Sequence, residues 1–331
     1  MGTSVYLFSG GQLRRKDNTL VFESPDGTKY LPVENIQEIY LFGEVDLTKS
    51  LLEFCSQKEI LLHIFNSEYE YYMGTFYPRE HLNAGHVTVK QVEYYLDPQR
   101  RLDLARRFVE GAARNMLQVL KYYRNRGKKV EGHLERIQEL EGKIPETAEV
   151  PALMALEGNI REQYYRAFDA IVLQEDFQFD RRTRRPPENH LNTLISFGNS
   201  LLYSAVLRET YKTHLDPRIG YLHTSNYRRF SLNLDVAEIF KPILVDRLIF
   251  TVLGKKMITR RDFDAKLEGI YLKESGRKVF VSEWERRLGT TIRHRSIGRE
   301  VSYRRLIRLE LYKVEKHVVE GEEYRPFVAQ W

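Results

Sequence analysis

Cysteine is almost missing from the 331-residue chain, Cys55 being its only thiol. One thiol cannot close an intramolecular disulfide or build a cysteine-based zinc site, so oxidised secreted scaffolds and zinc ribbons are excluded and a reducing, cytoplasmic setting is expected. No run of about 18 apolar residues occurs, and the opening stretch MGTSVYLFSGGQLRRKDNT has no signal-peptide core. Neither export nor a membrane partner is expected. The HExxH spacing of zinc proteases, internal repeats and low-complexity tracts are absent as well. An excess of one charge is also lacking: 52 Lys and Arg against 46 Asp and Glu leave a net charge of +6, which by itself names no polyanionic partner.

What is present is a globular composition, 42% hydrophobic and 12% aromatic, which excludes wholesale disorder. The length allows one large or two medium domains of roughly 100–200 residues each. Short strand-like runs at 5–8, 20–23, 29–33, 38–42 and 61–66 alternate with Gly10-Gly11, Asp17-Asn18 and Pro25-Asp26-Gly27 turns; a short helix is predicted at 47–56 and an edge strand within 69–77. Past residue 88 the apolar period becomes helical, first at 89–96 and then along Leu102, Ala105, Phe108, Val109, Ala112, Met116, Val119 and Leu120. Further helices are predicted at 134–142, 151–172, 189–211 and 232–253, with a basic helical stretch at 282–314. The predicted fold is α+β and multidomain: a small β-rich domain over 1–78, a polar linker over 79–88 and a larger, mostly α-helical domain over 89–331.

Three segments carry chemistry. In the first, Glu157, Arg161 and Tyr164 fall at i, i+4 and i+7 on one helical face. A surface Glu–Arg pair beside a packed tyrosine is one reading. Gly158 argues for another, since a glycine inside a helix costs roughly 0.8–1 kcal/mol relative to alanine and hints at a close approach beside Glu157. The second segment is Gly220-Tyr221-Leu222-His223-Thr224. In the third, Val236, Ile239, Phe240, Ile243 and Leu244 form the apolar face of a helix, and Asp235 and Glu238 lie together off that face. These acids are either favourable charges in a first helical turn or, joined by Glu157 and His223, ligands of one divalent cation. Oxygen donors with one imidazole suit Mg²⁺ or Mn²⁺ rather than zinc. Lys241, three residues beyond Glu238, is either solvated or placed to reach a phosphate.

The runs E-G-x-x-R-x-x-Y at 157–164, G-Y-L-H-T at 220–224 and L-D-V-A-E-x-F-K-P at 234–242, in this order behind a β-rich start, resemble the Cas-one family, the integrase of CRISPR adaptation. The helix after Arg184-Arg185-Pro186-Pro187 is similar to the family's helix ahead of its histidine. The resemblance implies a metal bound by Glu157, His223 and Glu238, with Asp235 also needed for activity; many members carry Asp where Glu238 stands. Lys241 is the further catalytic residue expected, adding positive charge near the phosphate. The resemblance also implies homodimers joined largely through the β domain, flanking a Cas-two dimer and carrying double-stranded DNA. Arg161, Tyr164, Arg181, Arg182, Arg184, Arg185, Lys241, Arg293 and Arg295 are then the expected DNA contacts, within a cationic C-terminal region where Trp284, His294 and Tyr303 could meet unstacked bases. The implied reaction is attack of a DNA 3′-hydroxyl on a phosphodiester, reversible on branched DNA. The competing readings are a structure-selective metal-dependent nuclease acting on branched or single-stranded DNA, and a non-catalytic DNA-binding scaffold.

Overall fold

The computed structural model describes residues 3–66, 72–78, 82, 84–183, 186–223, 230–266, 269–294 and 298–330. The chain divides into two compact units, Met1–His81 and Leu82–Trp331. The first holds β1 (Thr3–Leu7), β2 (Gly11–Lys16), β3 (Thr19–Ser24), β4 (Gly27–Pro32), β5 (Ile36–Leu41), β6 (Val45–Leu47), α1 (Lys49–Gln57), β7 (Leu61–Phe65) and β8 (Tyr72–Phe76). They build two four-stranded sheets, ordered β1-β5-β7-β8 and β4-β3-β2-β6. Alternation along the strands sends Leu13, Ile39, Leu41 and Leu62 into a core shared with Phe54 and Cys55 of α1. Burial pushes the Cys55 thiol up to about 12, so it is a packing residue rather than a nucleophile.

The second unit contains α2 (Gly85–Leu96), α3 (Pro98–Arg124), α4 (Glu131–Gly142), α5 (Val150–Arg166), α6 (Phe168–Val172), α7 (His190–Thr210), α8 (Ser231–Phe240), α9 (Arg247–Gly254), β9 (Phe263–Lys266), β10 (Gly269–Leu272), α10 (Glu274–Gly289), β11 (Thr291–His294), β12 (Arg299–Ser302) and α11 (Tyr303–Glu320). Long α3 starts where Asp97 Oδ1 accepts from the amides of Gln99 and Arg100, both at 3.0 Å, with Pro98 in the first turn. Its predicted apolar stripe is buried throughout. Helix α7 is buried on nearly every side. At Gly198 a Cβ would come within 2.5 Å of Val245 Cγ1, so glycine is what lets α7 approach the segment after α8.

That segment decides the site. Pro242 has no N–H and cannot continue an α-helical ladder, and the chain widens into a π-helical turn over Lys241–Asp246 before α9. Asn115 of α3 steadies the junction: its Nδ2 donates to the carbonyls of Ile239 and Phe327, both at 2.9 Å, and its Oδ1 accepts from the Ala329 amide at 2.8 Å. The C-terminal tail is thereby tied to α8.

Four expectations need correction. The predicted helix 232–253 is interrupted by the π-helical turn, and 151–172 breaks at Ala167. The basic stretch 282–314 is not one helix, because β11 and β12 form a hairpin between α10 and α11. Residues 85–88 of the expected linker belong to α2; residues 79–81 and 83 lie outside the described part. Among the described residues no helix is long and apolar enough to cross a membrane.

Candidate functional site

Helix α5 delivers Glu157 and Arg161 one turn apart, and α8 delivers Asp235 and Glu238. Arg161 Nε donates to Glu157 Oε1 at 2.7 Å, and Arg161 Nη2 donates to Glu238 Oε2. One guanidinium thus bridges acids from two helices. On the other oxygen of Glu238, Lys241 Nζ donates at 2.5 Å, and the same ammonium lies 5.1 Å from the centroid of the Tyr203 ring. Burial by itself would raise the pKa of Glu238, but Arg161 and Lys241 outweigh it and bring that pKa down to about 2. Burial also opposes the charge on Lys241, and Glu238 overcomes this and raises its pKa.

Asp235 is fully buried, and its carboxylate is spent on holding the loop at residues 221–223. Oδ2 accepts from the amides of Tyr221 at 2.6 Å and Leu222 at 3.1 Å; Oδ1 accepts from the His223 amide at 2.9 Å. His223 Nδ1 also lies 2.8 Å from Oδ1, so Nδ1 carries the proton and Nε2 of the neutral ring presents its lone pair. Burial works against a charged imidazole, and the hydrogen bond and charge of Asp235 nonetheless raise its pKa.

The donor chemistry fits a hard divalent cation: two carboxylates already turned onto one positive group, and an imidazole whose tautomer is set by a carboxylate behind it. Even so, among the described residues no three His, Cys, Asp or Glu side chains converge as a ready metal-binding group.

Asp246, which closes the π-helical turn, was not singled out by sequence reasoning. It is fully buried, and burial pushes its carboxyl up to about 7 against the pull of Arg161 and Lys241. A lone acid inside the apolar run Ile243-Leu244-Val245-Asp246-Arg247-Leu248-Ile249 is the signal that marks it. Tyr203, the platform under Lys241, carried no signal of its own.

The expected DNA contacts divide. Tyr164 is fully buried and packs edge-on against Phe168, which removes it from any surface role. Arg161 and Lys241 are buried and engaged as described. Arg182 donates to Asn192 Oδ1 and Ser196 Oγ, both at 3.0 Å, and thereby clamps the chain ahead of α7. Arg181 is exposed and paired with Glu188 at 3.0 Å, and Arg293 is exposed on β11. Arg184, Arg185 and Arg295 lie outside the described residues. Trp284 and Tyr303 are buried and cannot stack on bases. Much of the C-terminal charge is neutralised internally, by Arg304 with Glu285 at 2.7 Å and Arg308 with Glu209 at 2.6 Å.

A strand-rich unit ahead of a helical unit that gathers acids, a carboxylate-held imidazole and two buried cations defines an α+β class whose polar site belongs to the helical part. Residues 5–286 match the family described as CRISPR associated protein Cas1. The chain belongs to the Cas1 family. It is 54% identical, over 331 residues covering all of both chains, to the CRISPR-associated endonuclease Cas1 2 of Thermodesulfovibrio yellowstonii. The solved structure of a Cas1 protein from Thermotoga maritima is similar with a TM-score of 0.89 at 47% identity, over 98% of this chain and 99% of that one. A casposase bound to integration product shares the fold, with a TM-score of 0.88 at 19% identity over 99% of this chain and 93% of that one.

Proposed function

We propose that the chain is a metal-dependent DNA integrase of CRISPR adaptation. The 3′-hydroxyl of a prespacer end attacks a phosphodiester of the repeat-containing target; one P–O ester forms, one breaks, and the displaced strand leaves with its own 3′-hydroxyl. The proton lost by the attacking oxygen is balanced by the one the leaving oxygen gains. The observation that carries this reading is the convergence of Glu157 and Glu238, from two helices, on one positive group beside the Asp235-held His223.

Glu157, Glu238 and His223 Nε2 would hold Mg²⁺ or Mn²⁺. Such an ion neutralises charge on the non-bridging phosphate oxygens and lowers the pKa of the attacking hydroxyl. Asp235 keeps the imidazole in its tautomer and orientation. Lys241 and Arg161 add positive charge where the phosphate's charge must be balanced. Glu157 is the most exposed of the ligating groups, its side chain being 17% accessible. Beside it a Cβ on Gly158 would meet nothing within 4 Å, so the chain itself does not make the close approach that this glycine hints at. The DNA backbone would reach the site from that side.

The assembly we propose is a homodimer joined through the β-rich unit, flanking a Cas-two dimer and holding double-stranded DNA. The endonuclease named in the Thermodesulfovibrio relative favours a second reading in which water replaces the 3′-hydroxyl. A strand-joining assay on labelled duplex and branched DNA with Mg²⁺ or Mn²⁺, with and without EDTA, separates them. Longer joined strands that vanish with EDTA and with Glu157→Ala are expected. Only shortened strands would support hydrolysis, and joining that survives Glu157→Ala with unchanged DNA binding would support a scaffold whose acids are structural.

A further inference from the structure

Cations that share carboxylates compete for them. Both oxygens of Glu238 are occupied, Oε1 by Lys241 at 2.5 Å and Oε2 by Arg161, and Arg161 Nε also holds Glu157 at 2.7 Å. A divalent ion on Glu157 and Glu238, as the reading above requires, displaces the guanidinium between them, because two cations drawn to the same pair of carboxylates repel strongly in a buried site. The displaced group would then be a buried charge without an anion, an unfavourable state.

The fold supplies a second carboxyl group, which burial holds largely protonated until a cation reaches it. Arg161 Nη1 is buried and has no hydrogen-bond partner, although the other two nitrogens are engaged. Asp246 is fully buried, and neither of its oxygens completes a hydrogen bond of good geometry. The groups that favour its ionised form are Arg161 first, then Lys241, then the hydroxyl of Tyr164, which lies one turn beyond Arg161 on α5. Asp246 is the last residue of the π-helical turn that Pro242 opens. Glu209 also has one oxygen without a hydrogen bond, but that oxygen is paired with Arg208 at 3.7 Å and its other oxygen holds Arg308. Asp246 is the acid among the described residues with both oxygens in that condition.

We infer that Asp246 is a positioning residue, the alternate acceptor that receives the Arg161 guanidinium when a divalent cation takes Glu157 and Glu238. The exchange clears the ligands while keeping Arg161's positive charge at the site's edge. This inference rests on the metal-site reading, and its test separates the two.

The test titrates Mn²⁺ into the full-length chain and follows free Mn²⁺ by electron paramagnetic resonance, with no turnover involved. Wild type is expected to bind saturably and Glu238→Gln to weaken binding; unweakened binding would overturn the metal site and the exchange together. Asp246→Asn is expected to weaken Mn²⁺ binding by about tenfold, within the usual range for a coupled pair. In an Arg161→Gln background the same change is expected to have an effect of less than about twofold, because the group that Asp246 receives is gone. An equal effect in both backgrounds, or none with Arg161 present, would overturn the exchange while leaving the metal site standing. Asp246→Glu keeps the acceptor and is expected to stay within about threefold of wild type, which guards against a folding defect in the Asn variant.

Discussion

Replacing Asp235 by Asn changes one oxygen to an amide nitrogen with almost no change in volume. In the folded protein each oxygen accepts twice: Oδ2 from Tyr221 N at 2.6 Å and Leu222 N at 3.1 Å, Oδ1 from His223 N at 2.9 Å and from Nδ1 at 2.8 Å. Turned toward Tyr221 and Leu222 the new NH₂ faces two donors; turned toward His223 it faces one amide donor and a ring Nδ1 that can accept only by giving up its proton to Nε2. One or two hydrogen bonds are lost, the imidazole takes the wrong tautomer where only one is lost, and the bonds that remain lose their charge assistance. A bond to a charged acceptor contributes about 1.5–3 kcal/mol and an unsatisfied buried donor costs about 1–3 kcal/mol, so the variant should lose about 3–6 kcal/mol. In a protein of this size that lowers the melting temperature by roughly 10 °C. Calorimetry measures the loss, and hydrogen exchange locates it: the amides of residues 221–223 should exchange about a hundredfold faster. With His223 no longer aimed, Mn²⁺ affinity should fall about 10–100-fold. A variant within about 1 kcal/mol of wild type with those amides still protected would refute the reasoning.

Removing the charge of Glu238 as Gln strands the buried Lys241 and leaves Arg161 with Glu157 alone, and should destabilise the chain by about 3–5 kcal/mol; an unchanged urea midpoint would contradict this. Gly158→Ala places a methyl group where nothing lies within 4 Å. Helix propensity then predicts a gain of about 0.8–1 kcal/mol in stability, and the proposed DNA path beside Glu157 predicts that strand joining falls. Equal or faster joining would remove the DNA path from this side of α5. Asp246 gives a pH signature. Its pKa is raised by burial from an ordinary 3.8 to about 7, so the folded state keeps a proton that the unfolded chain releases. The stability this contributes is complete below about pH 4 and is lost as the pH climbs through about 7. Urea midpoints of wild type and Asp246→Asn should therefore diverge in slope across that window, and parallel slopes would count against a buried, proton-holding Asp246.

The apolar face that runs from α8 into the turn after it is legible because Val236, Ile239, Phe240, Ile243 and Leu244 keep helical spacing, and all five are fully buried. The π-helical turn inside that same periodicity is not, since Pro242 announces a break but not the wider turn that follows. In the basic stretch after residue 282, periodicity misled: Thr290-Thr291 and Gly298, which has φ +67°, were the signs of the β11–β12 hairpin within a run of arginines suited to either structure. Trp284 and Tyr303 look like stacking platforms beside so much charge, yet they lie in the core. The motifs pointed to the acids and the histidine, but the partners of the charges depend on contacts between distant segments. Arg161 reaches Glu238 across 77 positions and Arg308 reaches Glu209 across 99, pairings no local pattern encodes. Composition likewise counts Arg287 as a surface cation, whereas burial, followed by repulsion from Arg247, lowers its pKa to about 10.

The central claim is that Glu157, His223 and Glu238, supplied by three separate stretches of chain, take one divalent ion. Anomalous diffraction from crystals of the full-length protein grown with Mn²⁺ tests it most directly. A single strong peak is expected in contact with both carboxylates and with Nε2 of His223, with Arg161 turned away from the acids. A peak elsewhere, or Arg161 still bridging Glu157 and Glu238 at saturating Mn²⁺, would contradict it.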